Sequence, residues 1–224
     1  ADQTCFEEDG WSLAGKQIQD LLAKLRQNSI PLGEYVHGKV YRGILTGLNK
    51  AFVIDQATKD RLIAEDPRST ELIKPFAQGR DIKRYASIPV KQYLILIPKG
   101  WTNQHRKGNA WNWFSSQYPA LASHLKQFEK EAIARADQGD YWWELRACDY
   151  YDEFEKLKIV YPNILKQPEF TFDQTGIYTN QKCFIIPTDD LYLLGILNSS
   201  VSMFLFTQMF PKLRGDFYEP SWVF

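Results

Sequence analysis

This chain of 224 residues has little of what marks a disulfide-built, membrane-spanning or strongly basic protein. Its cysteines, Cys5, Cys148 and Cys183, are odd in number, far apart and outside any Cys-x-x-Cys pair. That excludes a disulfide framework and a cysteine-based zinc site, and suits reduced thiols in a cytoplasmic protein. No apolar run is long enough to cross a bilayer: the longest, residues 191–206, is broken by Gly195, Asn198, Ser199, Ser200 and Ser202. No signal-peptide pattern opens the chain. Neither charge is in excess, because Lys+Arg 27 equals Asp+Glu 27, which excludes a histone-like binder acting through net charge.

Catalytic strings are scarce as well. Residues 33–39 (GEYVHGK) match most of a phosphate-binding P-loop, but Val40 stands where a hydroxyl would hold magnesium, and Pro31 replaces the preceding buried strand. There is no serine nucleophile elbow and no Gly-x-Gly-x-x-Gly after a strand. His37, His105 and His124 sit in unrelated contexts and form no ligand set. Asp81-Ile82-Lys83 has the acid-x-Lys spacing with which metal-dependent nucleases hold magnesium and polarise a phosphate. No Pro-Asp stands upstream, so Asp81 is better read as a structural partner of Arg80 or Arg84.

What is present begins with 44% hydrophobic and 15% aromatic content, enough for one good core or two lobes. Charge is balanced overall but not locally. Across residues 72–108, Lys74, Arg80, Lys83, Arg84, Lys91, Lys99, Arg106 and Lys107 face Asp81 alone. Across residues 129–155 nine acids outnumber Lys130, Arg135 and Arg146. Within the basic part, and just before it, Gly43, Gly47 and Gly79 alternate with Arg42, Lys50, Lys74, Arg80, Lys83 and Arg84. Backbone free of side chains, flanked by cations, suits close approach to an anionic partner.

Periodicity predicts a helix over residues 12–26, with Ser12 as its N-cap and Ile18, Leu21, Leu22 and Leu25 on one face. A hairpin-like unit follows, with strands over 39–45 and 51–54, then short helices over 58–65 and 69–73. Strands are expected over 93–97, 142–146, 158–161, 169–172 and 183–186, and helices over 119–136 and 191–209. Together these describe an α+β fold: a mixed twisted sheet with flanking helices and long loops, without internal repeats. Residues 1–30 read as a helical lead-in and 31–224 as the main domain.

Five segments carry a resemblance in order and spacing: YRGILTGLNKAFVID (41–55), LIKPFAQGRDIKRY (72–85), RADQGDYWWELRACDYYDEF (135–154), KIVYPNI (158–164) and LYLLGILNSSVSMF (191–204). They resemble the TaqI-like C-terminal specificity domain, the target-recognition part of adenine-specific DNA methyltransferases and of fused restriction-modification enzymes. The resemblance implies sequence-specific binding of double-stranded DNA, with a methyltransferase domain of the same polypeptide flipping and methylating an adenine. It also implies S-adenosylmethionine, and magnesium where a nuclease is fused, as cofactors of the parent. This chain has neither an Asn-Pro-Pro-Tyr tetrapeptide nor a Phe-x-Gly-x-Gly string, so it is expected to bind DNA without chemistry, cofactor or metal of its own. It begins at Ala1 without a methionine, as expected of a piece of a longer protein. Residues 214–218 resemble the family's late Arg-Gly segment, which a spacer helix follows.

Phosphate contacts position a duplex and base-edge contacts specify it. Arg42, Lys50, Lys74, Arg80, Lys83 and Arg84 lie in the family-like motifs and are expected to hold the DNA backbone. The expected reading loop is 99–116, where Asn103, Gln104, His105, Arg106, Lys107, Asn109 and Asn112 can pair with adenine or guanine edges. Trp101, Trp111 and Trp113 are expected to anchor that loop to the body. Two further readings stay open: part of a magnesium-dependent nuclease using Asp81 and Lys83, or a protein-interaction module presenting the acidic, Tyr- and Trp-rich block.

Overall fold

A computed structural model describes residues 6–7, 10–11, 15–210 and 212–220. They divide into two compact units at Gly38 and Lys39, whereas sequence reading ends the lead-in at residue 30. The first unit pairs β1 (Phe6–Glu7) with β2 (Gly10–Trp11) and continues into α1 (Lys16–Gln27) and α2 (Leu32–Tyr35). Ser12 lies outside the described residues, and Gly15 occupies the N-cap of α1. At its other end, Asn28 Nδ2 and Ser29 Oγ donate to the carbonyls of Lys24 and Leu25, and Lys24 and Arg26 complement the helix dipole.

The second unit contains β3 (Tyr41–Arg42), α3 (Asn49–Phe52), β4 (Val53–Asp55), α4 (Gln56–Glu65), β5 (Ile73–Ala77) and β6 (Gln92–Ile95). Then come α5 (Trp101–His105), α6 (Ala110–Gln117), α7 (Pro119–Lys126), α8 (Glu129–Ala134), β7 (Lys158–Pro162), β8 (Thr171–Asp173) and β9 (Tyr178–Thr179). The chain closes with β10 (Cys183–Pro187), α9 (Leu191–Leu197), α10 (Ser200–Met209) and a small hairpin of β11 (Lys212–Leu213) and β12 (Phe217–Tyr218). The fold is α+β, as expected, but built on two four-stranded sheets. One has the antiparallel order β3-β10-β7-β8; the other, β4-β6-β5-β9, is antiparallel except for the parallel pair of β5 and β9. Phe52, Ile54, Leu62, Leu94, Ile95, Phe114, Leu121, Phe154 and Ile185 fill one continuous core.

Four expected elements differ. The strands read as a hairpin belong to different sheets, β3 pairing with β10 and β4 with β6, and Ala51 and Phe52 are helical and fully buried. Thr46 is responsible: its hydroxyl donates to Asn49 Oδ1 and accepts from Leu48 N–H, turning the chain out of the first sheet. The helix over 119–136 breaks between α7 and α8, where Phe128 at φ -108°, ψ 6° leaves helical geometry. Residues 142–144 form a turn and a bend and 145–146 are irregular, with Leu145 N–H bonded to Ile97 C=O at 2.7 Å.

The last helix is two, bent by 55° at Asn198 and Ser199. Buried Asn198 turns its amide to Phe170, donating to its carbonyl at 2.9 Å and accepting from its N–H at 3.1 Å, while Ser199 caps α10. Among the described residues no single helix is long and apolar enough to cross a membrane; α9 and α10 reach that length and composition only as a bent pair. Leu193, Leu194, Leu197 and Phe206 of that pair are buried in the protein.

Candidate nucleic-acid interface

The glycines of the two motifs do allow a close approach, and what approaches is the chain itself. A Cβ on Gly43 would stand 2.0 Å from the Asn180 carbonyl oxygen, and one on Gly79 would stand 3.1 Å from that of Lys182. Gly43 N–H donates to Cys183 C=O at 2.9 Å, and Ile44 N–H donates to Thr179 C=O at 2.6 Å. Both motifs therefore seat on the turn between β9 and β10, where the two sheets meet. Arg42 Nε binds Gln181 C=O at 2.9 Å, and Arg80 and Lys182 stand exposed beside the same turn. Sequence reasoning did not single out Lys182; the polar string TNQKC between two strands was the available signal.

The register of β5 against β6, Ile73 opposite Ile95 and Phe76 opposite Gln92, gives the second sheet two ends. They are separated by about 15 Å, the length of a five-residue strand. Arg42, Arg80, Lys83 and Arg84 gather where β5 runs out into Gly79. Lys50 lies near the other end, paired with Glu131, and Lys74 lies between, 3.0 Å from Glu155. Lys83 pairs with Glu169 at 3.1 Å, and the Arg84 guanidinium lies 5.1 Å from the centre of the Tyr85 ring. Among the described residues the Arg80 side chain has no hydrogen-bond or ion-pair partner. Exposed ion pairs of this kind contribute little to stability, so these cations can exchange a carboxylate for a phosphate at small cost.

Asp81 accepts from Gln78 N–H at 3.0 Å and lies 3.7 Å from Lys91, while Lys83 turns to Glu169. The two residues of the nuclease reading are thus engaged with different partners. Among the described residues no group of three or more His, Cys, Asp or Glu is placed to hold a metal ion. Cys148 and Cys183 are free thiols, and burial raises both pKa values.

The expected reading loop is mostly helix. Its first turn is capped from a distance by Glu144, fully buried, whose carboxylate accepts from the N–H groups of Gly100 (3.1 Å), Thr102 (2.9 Å) and Asp140 (2.9 Å). A negative charge there suits the N-terminal end of α5. Buried Arg135 lies alongside, donating to the carbonyls of Thr46, Trp142 and Glu144 and stacking over Phe52. Burial draws its guanidinium down to about 10, still cationic at neutral pH.

Most of the candidate base readers are already engaged. Asn103 donates to Asp140 at 2.9 Å and accepts from Tyr141 Oη at 2.7 Å and Arg106 Nε at 2.9 Å; Arg106 also reaches Gly108 C=O. His105 Nδ1 lies 2.7 Å from Trp101 C=O, and Asn109 caps α6 by accepting from Asn112 N–H at 3.0 Å. Gln104, Lys107 and the Asn112 amide are exposed and, among the described residues, without side-chain partners. Trp111 packs between Trp142 and Trp143, with ring centres at 4.9 and 5.0 Å, and Trp101 packs on Trp113 at 5.8 Å, so the tryptophans are anchors. The acidic, aromatic block is the cradle of α5 and α6.

The profile of the TaqI-like C-terminal specificity domain matches residues 74–221. The chain belongs to that family. Among solved structures, the specificity domain is similar to the Type IIL restriction-modification enzyme MmeI, determined in complex with DNA, with a TM-score of 0.53 at 11% identity. The likeness covers 77% of this chain and 21% of that one, so the specificity domain spans about a fifth of the enzyme. At this identity the likeness concerns the fold. The family match starts at Lys74, yet β3 and β4 are integral to the two sheets, and the compact unit begins at Lys39. The YRGILTGLNKAF motif is therefore part of the specificity domain, joined to it through Gly43.

Proposed function

We propose that this chain is the target-recognition domain of a restriction-modification protein and binds duplex DNA sequence-specifically. The observation that carries the reading is the convergence of Arg42, Arg80 and Lys182 on the turn between β9 and β10, within a fold of the specificity-domain family. In this reading Arg80, Lys83, Arg84 and Lys182 hold phosphates, while α5 and α6 present Gln104, Lys107 and Asn112 to base edges. Asn103 and Arg106 then shape that surface, and can read bases only by leaving Asp140, Tyr141 and Gly108.

The domain would contribute binding alone. An adenine methyltransferase domain of the same cytoplasmic polypeptide would use S-adenosylmethionine, and a magnesium-dependent endonuclease domain, where fused, would cut. Binding of a fluorescent duplex, followed by anisotropy across a salt series, tests the reading. Replacing Arg80 and Arg84 with Ala should weaken binding to every duplex and flatten the salt slope by about 0.9 per lost phosphate contact. Unchanged slopes would remove these arginines from the interface. Failure of the chain to bind any duplex at low salt would overturn the reading.

A further inference from the structure

Among the described residues three non-glycine residues have positive φ: His37 (54°), Tyr85 (55°) and Asp216 (63°). His37 follows the end of α2, and Asp216 follows Gly215 at the tip of the β11–β12 hairpin, places where such a backbone is common. Tyr85 has neither excuse. It occupies the third position of a turn closed by Ala86 N–H to Lys83 C=O at 3.1 Å, where positive φ normally selects Gly or Asn. A bulky aromatic residue there is an outlier, and such strain persists only where the surroundings over-determine the backbone.

The surroundings do so. Tyr85 N–H donates to Phe170 C=O at 3.2 Å, and Thr171 Oγ1 donates to Ala86 C=O at 2.6 Å, fixing the turn to the end of the first sheet on both sides of Tyr85. The side chain stands outside the core: Tyr85 is 56% exposed, and its hydroxyl has no hydrogen-bond partner among the described residues. Its ring meets the Arg84 guanidinium at 5.1 Å. Arg80, Lys83 and Arg84 stand within five residues before it in the chain, and the acids Asp81 and Glu169 already lie against Lys91 and Lys83. An exposed ring carried on a fixed backbone beside cations suits a partner with both flat apolar faces and negative charge.

We propose that Tyr85 is a DNA-contact residue: its ring packs on the base and sugar edge of the strand whose phosphates Arg80 and Arg84 hold. This rests on the DNA-binding reading above. Arg84 stacks on one face of the ring and leaves the other for the nucleic acid, and the fixed turn means that no backbone has to be ordered on binding.

The test compares the unsubstituted chain with Tyr85→Gly, Tyr85→Phe and Arg84→Ala, by thermal melting and by anisotropy with a fluorescein-labelled duplex of mixed sequence. Glycine relieves the turn, so Tyr85→Gly should melt about 2–4 °C higher while binding the duplex about tenfold more weakly. Its salt slope should stay unchanged, because no phosphate contact is lost, whereas Arg84→Ala should lower the slope. Tyr85→Phe should bind like the unsubstituted chain. If Tyr85→Gly binds as well as the unsubstituted chain while Arg84→Ala binds more weakly, the inference fails and the DNA-binding reading stands. If the unsubstituted chain binds no duplex, both fall.

Discussion

The two ends of the second sheet solve opposite problems. At the end where β5 runs out, glycine-lined backbones press together around the turn between β9 and β10, and the side chains are left outside, loosely partnered and cationic. At the end where β6 runs out, the first turn of α5 is held from beneath by Glu144, whose own backbone carbonyl Arg135 binds, and the polar side chains above are largely bonded to one another. One end has a rigid floor and available charges. The other has a rigid floor and a preset polar surface, with Gln104, Lys107 and Asn112 open. On the proposed reading the domain grips any duplex yet chooses among sequences, and that needs both, because gripping tolerates side-chain freedom and choosing does not.

The sharpest way to break this contrast is to remove the floor of the aromatic end. Glu144→Ala would leave the buried Thr102 N–H and the half-buried Gly100 and Asp140 N–H groups without their acceptor and should cost about 2–4 kcal/mol of stability, measured by urea unfolding. A loss below about 1 kcal/mol would mean that α5 does not need its remote cap. At the cation end the corresponding change is Gly43→Ala, whose added carbon meets the Asn180 carbonyl at 2.0 Å and should cost about 2–3 kcal/mol. Its DNA binding should fall for all sequences alike, since the turn carrying Lys182 shifts.

Smaller effects separate the two roles without disturbing the fold. Replacing Gln104 or Asn112 with Ala should leave melting temperature and salt slope unchanged and reduce discrimination between target and non-target duplexes by about 1–3 kcal/mol per lost bidentate contact. Equal discrimination would move the reading surface away from α5 and α6. The smallest effect is alkaline. Burial, followed by the hydrogen bond to Glu71, raises the Tyr118 hydroxyl from 10.0 to about 12. The folded state then keeps a proton that the unfolded chain releases, so this contribution is full below pH 10 and disappears as pH rises toward 12. Tyr118→Phe should flatten the fall in stability across that window, as read by melting at stepped pH.

How far the sequence was legible depends on how far each signal reached. The runs 158–162 and 183–187 are apolar and β-branched enough to declare themselves, and they became the adjacent central strands β7 and β10. Strand β3 was also visible, but its partner β10 lies about 140 residues away, and a glycine turn nearby offered a false local partner. The alternation at Trp142 to Arg146 imitated a strand because its aromatic residues face Trp111 and Phe114, while Glu144 turns inward to serve the backbone of another element. For the site, residue types were informative and availability was not. The Asn103 amide looks ready for adenine in the sequence, but Asp140 and Tyr141, almost forty residues later, occupy it. The N-cap at Asn109 was a readable sign that residues 110–117 form a helix.

Asn198 stands where an additional β-strand would otherwise begin. By bonding both the N–H and the C=O of Phe170, its side chain mimics a neighbouring peptide unit at the approach to β8, the outer strand of the first sheet. The turn carrying Tyr85 takes the same carbonyl and ties Thr171 from the other side. Another molecule pairing at the start of that edge would have to displace these bonds, so the approach to β8 is blunted at the cost of one buried amide and one bend in a helix.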